Sequence, residues 1–417
     1  MPRTIAILGA GFGGLRAAML LGKAIRRRRL TDCRVVLVER NDFHTYAPLL
    51  YEVSASPEEV AGYYDLKSIV TFPLAEVLGG DAIDVMRDTV SGLDLQNGQV
   101  ALASGAHLDY DYLIIALGAQ TNYFGIPGMQ EGALGLKSFD DAIRIRDAVW
   151  LSSCTLKRLR IVIGGGGSTG VELAGELQPW LNAITREGNC RTGITLLHAG
   201  PTVLNGFSQR VVGKVTGRLA RLQVKVLTDE RIVAIDREAH LARLESGMQI
   251  PFDVLIWTAG VTPHPVLGGL PVRYAKGGRL ALAADLSVLP EGAARLHGKV
   301  YGVGDVAGVA LLEDGQDVPM TARNAISQAS VAARNVIADI RGEAGIAYAP
   351  RSYLYIIPVG GKYAVAKIGP FVVGGFPAWM FKGAVELGYL FAILPPLHAL
   401  RVWFKGIRLF TLNDRLG

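Results

Sequence analysis

The stretch that most constrains this chain is Ile5 to Gly14, which reads IAILGAGFGG. The apolar run Ile5 to Leu8 stops at Gly9, Gly11 and Gly14 follow in G-x-G-x-x-G spacing, and a helix-like run extends from Leu15 to Ile25. A second apolar run, Val35 to Val38, ends at Glu39. Strand, tight turn, helix, strand and acid in that order make the βαβ unit that holds a dinucleotide. Gly9 permits the turn, Gly11 lets the backbone approach a pyrophosphate, and Gly14 lets helix and strand pack closely. The pyrophosphate rests on the unpaired N–H groups of the helix start, and Glu39 accepts hydrogen bonds from ribose hydroxyls. An ordinary glycine-rich turn would explain the glycines alone, but not the strand before them or the acid after.

At Arg160 the pattern restarts. IVIGGGGSTGVELAGEL has an apolar strand, then Gly165, Gly167 and Gly170 in the same register, then a helix expected through Leu177. Ile194 to Leu197 supplies the second strand. A duplicated unit predicts two dinucleotides, commonly a flavin held permanently and a nicotinamide that exchanges. The second unit departs from the rule at one place: the position of the ribose-binding acid is His198. A histidine does not repel a 2′-phosphate, so the choice between NADH and NADPH stays open.

At 417 residues the chain is too long for one core, and its 51 glycines and 50% hydrophobic content suit an α/β protein with many tight turns. A net charge of +6 favours anionic partners such as nucleotides or acidic lipid. No basic tail or nucleic-acid motif is present, so nucleic acid is not an expected partner. The three cysteines, Cys33, Cys154 and Cys190, lack CxxC spacing, which argues against disulfides, a zinc site or a dithiol reductase. A strand starting near Arg3 leaves no room for a signal peptide, and a cytoplasmic-side protein is expected.

Along the chain, Arg26 to Arg29 reads as a solvated helix end. Asn41 to Ser56 reads as a loop with apolar anchors over the C-terminal edge of the first sheet. Asp84 to Leu113 and Val224 to Arg243 read as small antiparallel inserts, the first turning at Asn97-Gly98. Each is followed by a matching strand, YLIIALGA with Ala116 and Gly118 at its end, and DVLIWTAG ending at Gly260. VYGVGDVAG then places Gly304-Asp305 at a strand end, where the carboxylate faces a ligand on the sheet edge; a plain turn aspartate is the alternative. Thr321 to Arg341 reads as a long helix.

From Tyr348 to Gly417 the composition turns aromatic, apolar and basic. Phe371 to Pro396 approaches the hydrophobicity of a membrane span, but Pro377, Lys382, Glu386 and Pro395-Pro396 divide it into pieces shorter than the roughly 20 residues required. Beyond it, His398, Arg401, Lys405 and Arg408 fall on one helical face, opposite Leu400, Trp403, Ile407 and Phe410. That pattern predicts a helix lying in the headgroup plane of an anionic membrane. The competing reading is a helix packed on the protein or on a second subunit.

Together the two fingerprints, HTYAPLLYEVSAS after Glu39, GSTGVELAGEL, WTAGV, GVGDVAG, VAKIGP, GGFPAW and the amphipathic tail resemble the type II NADH:quinone oxidoreductases over nearly the whole chain. The resemblance implies an α/β architecture of two Rossmann-like dinucleotide-binding domains plus a C-terminal amphipathic membrane-associating segment. Residues 1–125 and 266–347 would form the FAD-binding domain, 126–265 the NAD(P)H-binding domain and 348–417 the membrane-surface segment. It further implies FAD, NADH or NADPH as substrate, a membrane quinone as acceptor without proton pumping, and a peripheral, homodimeric enzyme. The expected FAD contacts are Gly9, Gly11, Phe12, Gly13, Gly14, Glu39, Arg40, Pro48, Ala116, Gly118, Gly304, Asp305 and Ala322. The expected nicotinamide-nucleotide contacts are Gly165, Gly167, Ser168, Thr169, Gly170, Glu172, His198 and Gly260. Glu172 matches a family glutamate near the nicotinamide; taken alone it also reads as a first-turn glutamate favoured by the helix dipole.

One departure bears on the acceptor. Where the family has A-Q-x-x-x-Q, this chain has Ala322, Arg323 and, four residues later, Ser327. Arg323 would donate a hydrogen bond to a quinone or to the flavin pyrimidine. A soluble flavin reductase with another acceptor, and a flavin-binding sensor without nicotinamide turnover, stand as alternatives. The related sulfide:quinone enzymes need paired cysteines near the flavin, and none of the three here lies in a stretch expected to reach it.

Overall fold

Short β-branched runs, each closed by a glycine turn and followed by an alanine- and leucine-rich helix, build a doubly wound α/β protein. The computed structural model describes residues 2–80, 82–188, 190–309, 318–350 and 354–413. The chain divides into two compact units, one of Met1–His44, Phe72–Gln120 and Val261–Arg351, the other of Thr45–Thr71, Thr121–Gly260 and Ser352–Gly417. In chain order the elements used below are β1 (Arg3–Leu8), α1 (Phe12–Arg26), β2 (Cys33–Glu39), α2 (Leu50–Ser54), β3 (Ile83–Arg87), β4 (Tyr112–Ile115), β5 (Arg158–Gly164), α3 (Ser168–Arg186), β6 (Arg191–Leu197), β7 (Lys225–Leu227), β8 (Val254–Trp257), β9 (Lys299–Gly302), α4 (Ala322–Ile340), α5 (Phe376–Ile393) and α6 (Pro396–Asn413).

The first unit is built on a parallel sheet in the order β9-β4-β1-β2-β3. Ile5 pairs with Val35 on one side and Tyr112 on the other, so the strand order reverses beside β1, where such sheets open a ligand crevice. β1 is buried from Thr4 to Leu8, as a strand covered on both faces requires. The expected antiparallel insert is present as Val90–Asp94, Gln99–Leu102 and His107–Asp109, with Gly98 at the turn in the left-handed region. Its first expected strand belongs elsewhere: Ile83–Arg87 is β3, paired parallel to β2 as the sheet edge.

The second unit repeats the plan, with Leu134–Gly135 followed by β8-β5-β6-β7, all parallel. Lys225–Leu227, expected in the second insert, is likewise a parallel edge strand, and the antiparallel piece is Ile232–Asp236, Leu241–Leu244 and Gln249–Pro251. α3 runs past the expected end at Leu177, through Pro179 to Arg186, because buried Trp180, Leu181 and Ile184 anchor its second half.

The segment expected as a loop, Asn41 to Ser56, contains α2, every residue of which is buried. Of the expected C-terminal membrane-surface segment, residues 351–353 and 414–417 lie outside the described residues. A three-stranded antiparallel sheet, Tyr355–Pro358, Ala364–Ile368 and Phe371–Gly375, leads into α5. α5 is one continuous helix of 18 residues. Pro377 sits in its first turn, where no N–H is lost, and Lys382 and Glu386 pair one turn apart instead of breaking it. No helix among the described residues is long and apolar enough to cross a membrane.

α6 forms where expected but turns its apolar side toward the protein, which is the competing reading of that pattern. Ala399, Val402, Gly406, Phe410 and Asn413 are buried, Trp403 donates its indole N–H to the Gly383 carbonyl at 2.8 Å, and Leu400 and Ile407 are half-buried. The expected apolar face is therefore engaged with the protein itself. The outward face carries Leu397 (73% exposed) and Phe404 (61%) together with exposed Arg401 and Arg408.

Candidate functional site

In the first unit the chain leaves β1 at Gly9 with φ of +93°, a conformation costly to a residue with a Cβ. A Cβ there would lie 2.6 Å from the Ala116 carbonyl at the end of β4, and one on Gly14 would collide with the Gly9 carbonyl. α1 has Gly11 at its N-cap, no side chain capping it and no acid in its first turn. Its first N–H groups and the positive end of the dipole remain available for an anion. Gly13 packs toward Val303 and Ala325, and Phe12 sets its ring edge-on to His44 at 5.1 Å.

Glu39 closes the same turn from the end of β2. One carboxylate oxygen, Oε2, accepts the Ala10 N–H at 2.7 Å and retains a lone pair for a ribose hydroxyl, while Oε1 accepts the Asn41 N–H at 3.1 Å and the Asn41 side-chain amide at 3.3 Å. Arg40, next in sequence, is exposed. Gly118 and Gly304 both sit in the left-handed region, and Asp305 occupies a tight turn, Gly304–Val306, directly after β9. The Gly304 N–H donates to the Gln328 side-chain oxygen at 2.7 Å, which ties that turn to α4. Thr321 caps α4 by accepting the Asn324 N–H. Ala322 is its first residue, and Arg323 and Ser327 stand exposed one turn apart. The glutamine this helix does retain, Gln328, is buried and turned inward.

The second unit reproduces the cradle. Gly165 has φ of +115° and a Cβ there would lie 2.6 Å from Ala259; one on Gly170 would meet the Gly165 carbonyl. Gly167 caps α3 without a side-chain bond, Ser168 and Thr169 are exposed in the first turn, and that turn carries no acid. Glu172 is the fifth helical residue, past the first turn, so the helix-dipole account of it does not apply. Gly260 follows β8 and its carbonyl accepts the Asn122 N–H at 3.0 Å. His198 follows β6, where the ribose acid would stand. Pro48, expected among the flavin contacts, lies exposed in a short turn of this second unit, Ala47–Leu49.

Sequence reasoning missed a charge cluster in the second unit. Lys382 of α5 is paired with Glu52 of α2 at 2.6 Å and with Glu386 at 2.6 Å. Tyr51 donates its hydroxyl to Glu52 at 2.7 Å. Burial raises the Glu172 carboxyl from the ordinary 4.5 to about 8, with Lys382 opposing and Glu52 reinforcing the shift. Burial would lower Lys382, but Glu386 and Glu52 outweigh it and hold the ammonium charged. Beside the cluster lies a cavity of about 280 Å³ with Tyr46, Glu52 and Lys382 on its polar wall and Leu390, Trp403 and Phe410 among its apolar walls. The Lys–Glu spacing at i, i+4 was the available signal.

Both cradles accept what the sequence implies: left-handed glycine turns, uncapped helix starts free of first-turn acid, and an anchored carboxylate at one of the two. The pyridine nucleotide-disulphide oxidoreductase family matches residues 3–329. The chain is 28% identical to the type II NADH:quinone oxidoreductase Ndh of Mycobacterium tuberculosis, over 96% of this chain and 87% of that protein. It is 30% identical to the demethylphylloquinone reductase NdbB of Synechocystis, over 82% of this chain and 80% of that protein. The chain belongs to the type II NADH:quinone oxidoreductase family. The fold agrees with the solved structure of NDH2 from Plasmodium falciparum in complex with NADH, at a TM-score of 0.80 and 19% identity, covering 97% of this chain and 98% of that one. The expectation of two dinucleotide-binding α/β units is met by this family's fold.

Proposed function

We propose that this protein is an FAD-dependent NAD(P)H:quinone oxidoreductase that does not pump protons. The observation that carries the reading is the duplication: two complete cradles, Gly9 to Glu39 and Gly165 to His198, in one chain of this family. Bound FAD would supply the hydride and two-electron chemistry that links NAD(P)H to a quinone.

The protein's part is to bind, orient and exclude. The first N–H groups of α1 take the FAD pyrophosphate and Glu39 the adenosine ribose. Ala116, Gly118 and the Gly304-Asp305 turn present backbone and carboxylate to the rest of the molecule. The first turn of α4, with Arg323, donates toward the acceptor end. Residues 1–125 and 266–347 serve as the FAD domain and 126–265 as the nicotinamide domain. In the latter, α3 takes the second pyrophosphate. Near neutral pH Glu172 is largely protonated, so it offers an O–H donor to the nicotinamide carboxamide without placing an anion beside the ring. The cavity beside Lys382 suits a quinone, its charged wall toward the head group and Leu390, Trp403 and Phe410 toward the tail. Protons for the quinol come from solvent.

Residues 348–417 serve as a membrane-surface segment on the cytoplasmic side, in a homodimer. The support is the outward face of α6, Leu397, Arg401, Phe404 and Arg408, which combines apolar anchors with cations. Steady-state oxidation of NADH or NADPH by a short-chain quinone, with FAD identified after heat release, tests the activity. Absence of FAD, or oxidation only by artificial dyes, contradicts it.

A further inference from the structure

The nicotinamide cradle contains a hydrogen-bond donor where such sites ordinarily hold an acceptor. His198 Nδ1 accepts the Gly166 N–H at 3.2 Å. An amide N–H only donates, so Nδ1 carries no proton and the neutral ring must carry its hydrogen on Nε2. Nε2 is buried and has no hydrogen-bond partner. A polar N–H in that condition costs free energy unless something accepts from it. Gly200 stands alongside without a side chain: a Cβ there would come within 3.0 Å of Nε2 and 3.7 Å of the Asn205 side-chain nitrogen. The position is that of the acid that accepts from the ribose 2′-hydroxyl, one residue past the second strand of the βαβ unit.

We propose that His198 recognises the 2′-substituent of the nucleotide ribose by donating from Nε2, and that this protein therefore binds NADPH at least as well as NADH. The proposal rests on the reading of the second cradle as a nicotinamide-nucleotide site. A carboxylate at this place accepts from a 2′-hydroxyl and repels a 2′-phosphate; a neutral imidazole N–H donates to either oxygen and repels neither. Burial keeps the ring below its ordinary pKa, so it acts as a neutral donor at pH 7, and the charge of the exposed Asp229 pulls the other way. Asp229 is open to water, where its repulsion of a phosphate is screened.

The test is the ratio of dissociation constants for NADP⁺ and NAD⁺, measured by calorimetry on the FAD-loaded protein. For the native chain the two constants are expected to lie within about tenfold of each other, and His198→Glu is expected to weaken NADP⁺ relative to NAD⁺ by more than about tenfold. His198→Gln, whose amide nitrogen replaces Nε2–H, is expected to retain NADP⁺ binding. Should His198→Glu fail to fold, 2′,5′-ADP against ADP on the native protein reads the same preference. The inference is overturned if the native chain binds NAD⁺ about a hundredfold more tightly, if 2′,5′-ADP binds far more weakly than ADP, or if His198→Glu leaves the ratio unchanged. Binding of neither nucleotide would remove the nicotinamide reading itself, an outcome distinct from an unfavourable ratio.

Discussion

The Nδ1 of His44 lies 2.8 Å from the carbonyl oxygen of Ala10, whose N–H is held at 2.7 Å by Glu39. The residue in the middle of the first glycine turn is thus held on both sides, through its N–H and through its carbonyl. A carbonyl can only accept, so His44 carries its proton on Nδ1. The ring is fully buried, and burial lowers its pKa from 6.5 to about 4, so it stays neutral through the physiological range.

Removing that donor leaves a buried carbonyl unpaired, at a cost of about 1–3 kcal/mol. His44→Leu is expected to release FAD roughly tenfold faster or more, measured by the rise of flavin fluorescence on dilution. His44→Asn, whose amide nitrogen falls near Nδ1, is expected to restore most of the retention. Equal release from both variants would show that the clasp does not hold the turn.

Glu172 gives a pH dependence. The folded protein holds its proton more tightly than the unfolded chain does. Its contribution therefore favours the fold fully below about pH 4.5 and is lost as the pH rises to about 8. Through the same ionisation the O–H donor to the nicotinamide disappears. Affinity for NAD(P)H is expected to fall above about pH 8 in the native protein, and Glu172→Gln is expected to flatten that limb. An unaltered limb would assign it to another group.

How much of this was legible in the sequence depended on what each feature required. The two cradles were fully legible, because a left-handed turn at Gly9 and a Cβ-free contact at Gly14 can be met only by glycine at fixed spacing. The first strands of both inserts were misassigned, since Ile83–Arg87 and Lys225–Leu227 alternate as edge strands of either kind do, and only the partner strand settles the direction. The tail had the right period, and its apolar side found the protein as its partner. Leu400, Trp403, Ile407 and Phe410 read as a membrane-facing stripe, whereas that side of the helix packs on the protein along Ala399 and Gly406, with Trp403 lying over Gly383. Lys382 and Glu386 were read as interruptions because a single sequence does not reveal Glu52, far away in the chain, as their partner.

That cluster makes a stability prediction. Lys382→Met removes the ammonium that pairs with Glu52 and Glu386 and leaves buried carboxyls uncompensated, at a cost of about 3–5 kcal/mol. A large drop in Tm is expected, partly recovered by the double variant Lys382→Met with Glu52→Gln. A native-like Tm in the single variant would mean that the carboxyls protonate without penalty.

For the membrane, the outward face of α6 predicts binding to anionic vesicles that weakens with salt. Arg401→Glu with Arg408→Glu is expected to reduce flotation with phosphatidylserine vesicles about tenfold or more, each charge near the surface contributing about 1 kcal/mol. Phe404→Ser is expected to reduce binding to neutral and anionic vesicles alike. Full flotation of all variants would relocate the contact.

The most direct test of the central claim is an anaerobic absorbance titration of the purified protein with NADH and, separately, NADPH, followed by a short-chain quinone. The account predicts that the flavin band bleaches with stoichiometric donor and returns when quinone is added. A bound flavin that neither nucleotide bleaches, or one that bleaches and is not restored by any quinone, would contradict it.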